Sequence, residues 1–360
     1  SLFFKVRDAT LAFQPGWPQL TGVDGKVYVE NSGVRIKANK GKLLNTDVSN
    51  VRVNIPHAPA GQPSHLLVDG DFSGALADGV KILQEAPIGT ASTFAGWQAE
   101  GPINGKLQLD IPLVKGQEPK IAVDFSTDKA RLKISEPVLE LTQLKGDFRF
   151  DNAKGLSGKG VRAQAFDRPI TAEIAAEGKP GANVTRVVAN GQVAVPKLSE
   201  WLGVTQALPV SGELPYQLQL TLGNDSQLRI NSSLKGTVID LPAPFGKLAD
   251  DGRDSEFRMS LQGPERRYNF SYGNLASLAF ASPPGKLADG RGELFLGDGG
   301  AIVPDAKGLR VRGSLSELDI APWQTMIGKY AGQDPGGSAK QLVNNVDLQI
   351  GKLTAMGTTL

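Results

Sequence analysis

Apolar and polar residues alternate at a period of two along most of the chain. "GKVYVENSGVRIKA", "GKLQLDIPLV", "LELTQLKGDFRF", "YQLQLTL", "LRINSSL" and "GELFLGD" all carry the pattern, which puts one set of side chains on each face of a strand. Turn residues separate these runs, drawn from 43 Gly and 23 Pro, as in a meander of neighbouring strands. Alternation leaves one sheet face apolar and the other polar, unlike the continuous apolar runs of strands buried on both sides. The pattern predicts an all-β fold, an elongated and strongly twisted antiparallel sheet.

Helical periodicity appears three times. "FSGALADGVKILQE" sets Phe72, Leu76, Val80 and Leu83 on one stripe. "PKLSEWLG" offers Leu198, Trp201 and Leu202 between Pro196 near the first turn and Gly203 as a stop. "IAPWQTMIGKYAG" repeats the logic with Ile320, Trp323, Ile327 and Tyr330, Pro322 near the start and Gly332 at the end. Short helices are therefore predicted near 73–84, 196–203 and 321–331. Leu76, Val80, Trp201, Leu202, Trp323 and Ile327 are expected to pack on the apolar sheet face, because a short helix is stable only when its stripe is covered.

Each helix follows a glycine-centred phrase: "LLVDGDF", "VVANGQV" and "LRVRGSL", with Gly70, Gly191 and Gly313 spaced by 121 and 122 residues. Gly25 and Gly146, which open two other strand phrases, are again 121 apart. The chain reads as repeats of about 121 residues, longer than the 20–50 residues of common solenoid units. The expected units are 1–87, 88–205 and 206–332, with a further one starting at 333–360. Strand-like sequence stands directly at both ends, so the chain reads as a segment of a longer one.

Composition narrows the function classes. Thirty-nine basic and 37 acidic residues leave a net charge of +2, without the concentrated basic patch that nucleic acid demands. The absence of cysteine excludes disulfides and thiolate metal sites. No run of about 18 apolar residues exists to make a membrane-spanning helix. His57 and His65 flank "PHAPAGQPSH" and lack a metal-ligand spacing. "DGDFSG" at 69–74 begins like a calcium loop, but Val80 stands where the bidentate Glu belongs. Walker, dinucleotide and nucleophile-elbow motifs are missing. No catalytic, metal or cofactor site is expected. "LPAPFGKLADDGRD" at 241–254 reads either as a rigid loop closing a strand or as a loop at the mouth of a groove.

An apolar sheet face needs a cover, and three short helices are too few for so many strands. Either the sheet folds on itself as a sandwich or barrel, which would make the chain a structural or protein-interaction scaffold of β-sandwich repeats, or it stays open and meets an apolar ligand. In the open arrangement the floor is expected to comprise Val27, Val29, Leu107, Leu109, Ile111, Leu113, Phe148, Phe150, Leu218, Leu220 and Leu222.

"SSLKGTVIDLPAPFGK" (232–247), "GPINGKLQLDIPL" (101–113), "LKGDFRFDNAKGLSGKGVRAQAFDRPI" (144–170) and "WPQLTGVDGKVYVENSGVRIKANKGKL" (17–43) resemble the AsmA-like family of bridge-like, repeating β-groove lipid transport proteins. The resemblance implies a non-enzymatic, cofactor-free role with phospholipid acyl chains as partners. It also implies a periplasmic location, within a full-length protein anchored in the inner membrane. Contacts with the inner and outer membranes would then lie outside this segment.

Overall fold

The computed structural model describes residues 2–12, 15–30, 33–59, 61–135, 138–204, 207–331, 343–355 and 358–359. Among the described residues strands dominate, and the helices of more than four residues are three. The chain divides into two compact units. One comprises Ser1–Ala165, Pro169–Val187 and Leu222–Asn224, the other Phe166–Arg168, Val188–Thr221 and Asp225–Leu360.

The first unit is built on a meander. β1 (Leu2–Leu11), β2 (Leu20–Glu30), β3 (Gly33–Leu43), β4 (Thr46–Ile55) and β5 (His65–Ala75) pair in chain order, each antiparallel to the last. From β5 the chain leaves through helix α1 (Leu76–Glu85), the single turn α2 (Ala91–Phe94) and the short β6 (Gln98–Glu100). It returns as β7 (Pro102–Pro112), antiparallel to β5. β8 (Lys120–Ser135), β9 (Val138–Asp151) and β10 (Gly155–Ala165) continue the same order. Register shifts recur along these strands, and positive-φ residues stand at or beside them: Asp8, Gly22, Asn50, Gln143 and Gly160. An extra residue bends its strand and increases the local twist. Near the bent start of β2, Leu20 and Val23 join Ala38, Val51, Val53 and Val68 in one buried cluster.

β11 (Arg168–Ala176), β12 (Thr185–Ala194) and α3 (Val195–Trp201) follow. The second unit then runs through β13 (Val210–Leu222), β14 (Gln227–Ser232), β15 (Thr237–Ile239), β16 (Ser255–Ser260), β17 (Arg266–Tyr272), β18 (Ala276–Ser282) and β19 (Arg291–Leu296). β14, β16, β17, β18 and β19 pair antiparallel in that order, with β13 on the far side of β14. The expectation of a purely antiparallel sheet fails next. β20 (Gly308–Asp319) is parallel to β19, and β21 (Val343–Ala355) is parallel to β20. The cause is connection length, since a parallel pair needs a crossover of a dozen or so residues. Residues 297–307 supply the first, and α4 (Ile320–Ala331) begins the second. Antiparallel pairing resumes at β22 (Thr358–Thr359).

The helices lie close to their predicted spans, while Gly332 and residues 333–342 fall outside the described residues. α1 buries Val80 and half-buries Leu76. It is pinned by Asp78, whose buried carboxylate accepts from Thr46 Oγ1 (2.7 Å), the Asn45 N–H (3.1 Å) and Asn45 Nδ2 (3.3 Å). α3 departs from expectation. It has only seven residues and buries Val195, so Trp201 and Leu202 at its far end stay 39% and 59% exposed. Trp201 meets Phe166 edge-on at 5.7 Å. On α4, Trp323 is half-buried against Phe245, with ring centroids 5.8 Å apart, but Ile327 is 53% exposed. The loop beneath α4 meets the helix at Trp323 and again at Lys329 and Tyr330, and Ile327 lies between those contacts. Val80→Ala should therefore cost about 2 kcal/mol, whereas Trp201→Ala should cost nearer 1 kcal/mol because little cavity is left. Urea unfolding of the two variants gives the comparison, and a larger loss at Trp201 would contradict the exposed placement.

Candidate functional site

Residues directly opposite on neighbouring strands share a face, so the registers show which side chains line up. In the first unit Phe4, Val27, Ile36, Val53, Val68, Leu109 and Ile121 form one row across seven strands. Beside it run Gly70, Leu107, Val123, Phe150 and Leu156. Val29 pairs with Leu2 and Val34, and Ile111 with Leu66. Phe148 stacks on Phe125 with centroids 5.1 Å apart. A Cβ at Gly105 would collide with the Phe72 ring and the Asp124 carbonyl, so glycine there lets the ring lie flat on the sheet. Leu113 lies just past the end of β7, 50% exposed.

The second unit repeats the arrangement. Leu218, Ile230, Phe257, Phe270, Leu278, Leu294, Val311 and Val346 make a row across eight strands, through both the antiparallel and the parallel pairings. A second row holds Leu220, Leu228, Met259, Tyr268, Phe280, Gly292, Leu309 and Val343. Leu222 is half-buried at the end of β13. No residue of the eight-strand row is buried; Phe270 is 39% and Val346 60% exposed. By contrast the first unit buries Val27, Val53, Val68 and Ile121 in its corresponding row.

The opposite face of the second unit carries Gln219, Arg229, Arg258, Asn269, Ala279, Glu293 and Arg310. Here lies the largest fully buried side chain among the described residues, Glu293 at 1% exposure. It is ion-paired to Arg310, lies 3.6 Å from Arg312 Nη1, and accepts the Ile302 N–H at 3.2 Å. Ile302 belongs to the 297–307 crossover. That connection therefore runs over the polar face, leaving the apolar row open while a carboxylate is buried behind it. An open cavity of about 1030 Å³ lined by Asn190, Gln192, Gln217, Asn231 and Glu256 also lies on the polar side. Its lining of amides, hydroxyls and the carboxylates of Asp254 and Glu256 contrasts with the apolar rows on the other face.

The 241–254 stretch closes the strand ends. Tyr272 donates its hydroxyl to the Phe245 carbonyl (2.7 Å) and accepts from Arg253 (2.8 Å), whose guanidinium lies 4.8 Å from the Tyr272 ring centre. Lys247 is buried and donates to the carbonyls of Thr237 (2.5 Å) and Leu248 (2.7 Å); loss of hydration lowers its pKa. Asp240 accepts from Lys329 (2.6 Å) and Tyr330 (3.1 Å), tying the loop to α4. Those bonds, the Lys329 one foremost, hold the Asp240 carboxyl below its usual range. A depressed carboxylate pKa gives stabilisation that is present above the unfolded value and lost as pH falls through the folded one. The loop-to-helix tie should hold at neutral pH and release below about pH 4. Fluorescence of Trp323 reports it. Asp240→Asn should show the released signal already at pH 7, with no acid transition.

Candidate chemistry is sparse. Among the described residues no three His, Cys, Asp or Glu side chains cluster as metal ligands. His65 pairs with Asp110 across β5 and β7, Nδ1 to Oδ1 at 2.5 Å. The acids of "DGDFSG" are held on the strand, Asp69 by Arg52 (2.7 Å) and Asp71 by Asn50 (2.8 Å). Sequence reasoning missed Phe257, Phe270, Leu278 and Leu294 as members of an apolar row, although they carry the same period-two signal. Glu293 sent no signal at all, because a carboxylate inside "GELFLGD" reads as solvated surface.

The comparison with known families covers every residue. The model of the YhdP protein family matches residues 1–360. The chain belongs to the YhdP family. It is 25% identical over 355 residues to the "Intermembrane phospholipid transporter YhdP" of Escherichia coli (strain K12), a match covering 93% of this chain. The chain spans about a quarter (26%) of the length of that curated relative. No solved structure matches. Among the described residues no helix is long and apolar enough to cross a membrane. Within the YhdP family, then, this chain presents sheets with one apolar and one polar face.

Proposed function

We propose that this chain is a periplasmic segment of a bridge that carries phospholipids along an apolar β-groove between the inner and outer membranes. The full-length protein is anchored in the inner membrane, and its contacts with both membranes lie outside the segment. The observation that carries the reading is the row from Leu218 to Val346, apolar on all eight strands and buried on none. Acyl chains lie on these rows while headgroups stay in water. Each methylene withdrawn from water contributes about 0.8 kcal/mol, whichever strand it touches. Neighbouring strands stand about 4.8 Å apart, and a chain stepping from one to the next exchanges one aliphatic or aromatic contact for another. The barrier between steps is small, and the direction of travel must be imposed from outside. Repeats of about 121 residues, each closed by a short helix, extend the floor by adding strands. α1, α3 and α4 begin at residues 76, 195 and 320, close to that spacing.

A photoreactive amino acid at Leu294 tests the proposal. It should crosslink phospholipid in cells, and the same probe at Arg258 on the polar face should not. Equal crosslinking from both positions, or none from Leu294, would favour a scaffold of β-sandwich repeats.

A further inference from the structure

The polar face of the first unit carries an unbalanced row of charge. Lys5, Lys26, Lys37 and Arg52 stand directly opposite one another on β1, β2, β3 and β4, and all four are exposed. Arg52 is matched by Asp69 at 2.7 Å. The three lysines have no ion pair among the described residues. Two residues along these strands the one acid on the same face is Asp24, already held by Lys40 Nζ at 3.0 Å and by the Asp8 N–H at 2.9 Å. Glu30 is likewise taken by Arg35 at 3.0 Å. Like charges directly opposite one another destabilise a sheet. Protection of a sheet edge by lysine does not account for the row, because β2 and β3 are paired on both sides. A chain whose net charge is only +2 thus concentrates uncompensated cations in one place.

The row also has an apolar border. Phe3 meets Tyr28 with ring centroids 5.0 Å apart, each two residues from a lysine of the row and so on the same face. Phe3 is 52% exposed. Backbone N–H groups of these strands are committed to the ladders, unlike the open backbone nests that hold small phosphates. An anion here meets ammonium groups alone. Three uncompensated charges are too few for nucleic acid, where a binding face commonly meets about 6–10 phosphates. Aromatic anchors beside charged groups are instead the composition of a protein interface. Strands about 4.8 Å apart give the row a length of roughly 14 Å, about four residues of extended chain.

We propose that this row is a docking surface for an acidic segment of a partner protein, with carboxylates on Lys5, Lys26 and Lys37 and an apolar side chain against Phe3 and Tyr28. Lys26 and Lys37 alternate with Val27 and Ile36 of the apolar row, so the docked segment lies behind that row and leaves it uncovered. The surface therefore stands apart from the lipid-groove reading. Each exposed charge pair changes affinity only about two- to fivefold, which makes the contact weak, salt-dependent and reliant on several charges at once.

The test uses the full 360-residue chain and a fluorescein-labelled peptide, a run of glutamates around one central phenylalanine, followed by anisotropy at low salt. The expected result is saturable binding that falls at least tenfold in the double variant Lys26→Glu, Lys37→Glu, where two attractions become two repulsions. The same change in net charge at Lys235→Glu, Lys286→Glu, in the second unit, should leave binding within about twofold. Phe3→Ala should weaken it severalfold. Lys26→Gln should also weaken it, while the free variant unfolds at the parent's urea concentration or higher because an opposed charge is gone. That separates a lost contact from a folding defect. Vesicles containing dioleoyl phosphatidylglycerol are the second probe. No peptide binding, binding that both double variants reduce alike or neither reduces, or tighter retention on the vesicles through the same lysines overturns the proposal.

Discussion

Phe270→Asp should leave the chain folded and abolish its passage of lipid. Phe270 lies mid-row in the second unit and is 39% exposed, so an aspartate there reaches water. A surface substitution of this kind costs about 1 kcal/mol or less, a few degrees in melting temperature at most. The same charge, however, interrupts the apolar lane. An acyl chain crossing it must strip water from a carboxylate, a penalty of at least several kcal/mol, and each 1.4 kcal/mol is a factor of ten in occupancy. Crosslinking of lipid to a probe at Leu294 should fall at least tenfold, while Phe270→Leu should preserve it. Val68→Asp supplies the contrast. That position is buried within the cluster of the first unit, and a charge there should unfold it. If Phe270→Asp unfolds the protein as Val68→Asp does, the row is a closed core and the groove is lost with it.

Glu293→Ala should be the most destabilising single change on the polar face of the second unit. The carboxylate is 1% exposed and serves Arg310, Arg312 and the Ile302 N–H together. Removing one member of a buried ion pair typically costs about 3–5 kcal/mol because the partner's charge is left behind. Arg310 and Arg312 keep partial access to solvent, so a loss of about 3 kcal/mol is expected, read by urea unfolding. Glu293→Gln should recover part of it by keeping an acceptor for Ile302. Lipid crosslinking at Leu294 should persist wherever the variant is folded, since the acid and the floor lie on opposite sides of one strand. Loss of crosslinking in a folded Glu293→Gln chain would mean that the two faces are coupled.

Period-two alternation made the strands and their apolar and polar faces legible from residues alone, and helical periodicity did the same for the three helices. Val27, Leu109, Phe148 and Leu220 all face as the alternation says, because a pleated strand leaves a side chain only two directions. Strand direction was not legible. Nothing in "GELFLGD" or "LRVRGSL" distinguishes a parallel from an antiparallel neighbour, and the difference lies in the length of chain between them. Degree of cover was equally hidden. Val53 and Phe270 have the same pattern, yet one is buried and the other open. Bends near Gly22 and Asn50 gather the first unit's apolar residues into a cluster, and such bends depend on backbone conformations that composition barely signals. Trp201 illustrates the limit for helices: it was expected to pack on the sheet, but the helix ends at Trp201 and buries Val195 instead.

The crossover that hides Glu293 has one further consequence. In the proposed groove a hydrocarbon would meet only side chains, and the direction of the strand beneath them would make no difference to it. Leu278, Leu294 and Val311 therefore present one uninterrupted surface although the chain changes from antiparallel to parallel between them. With its connection routed behind, the sheet changes strand direction at that seam while the apolar row on its other face runs on unbroken.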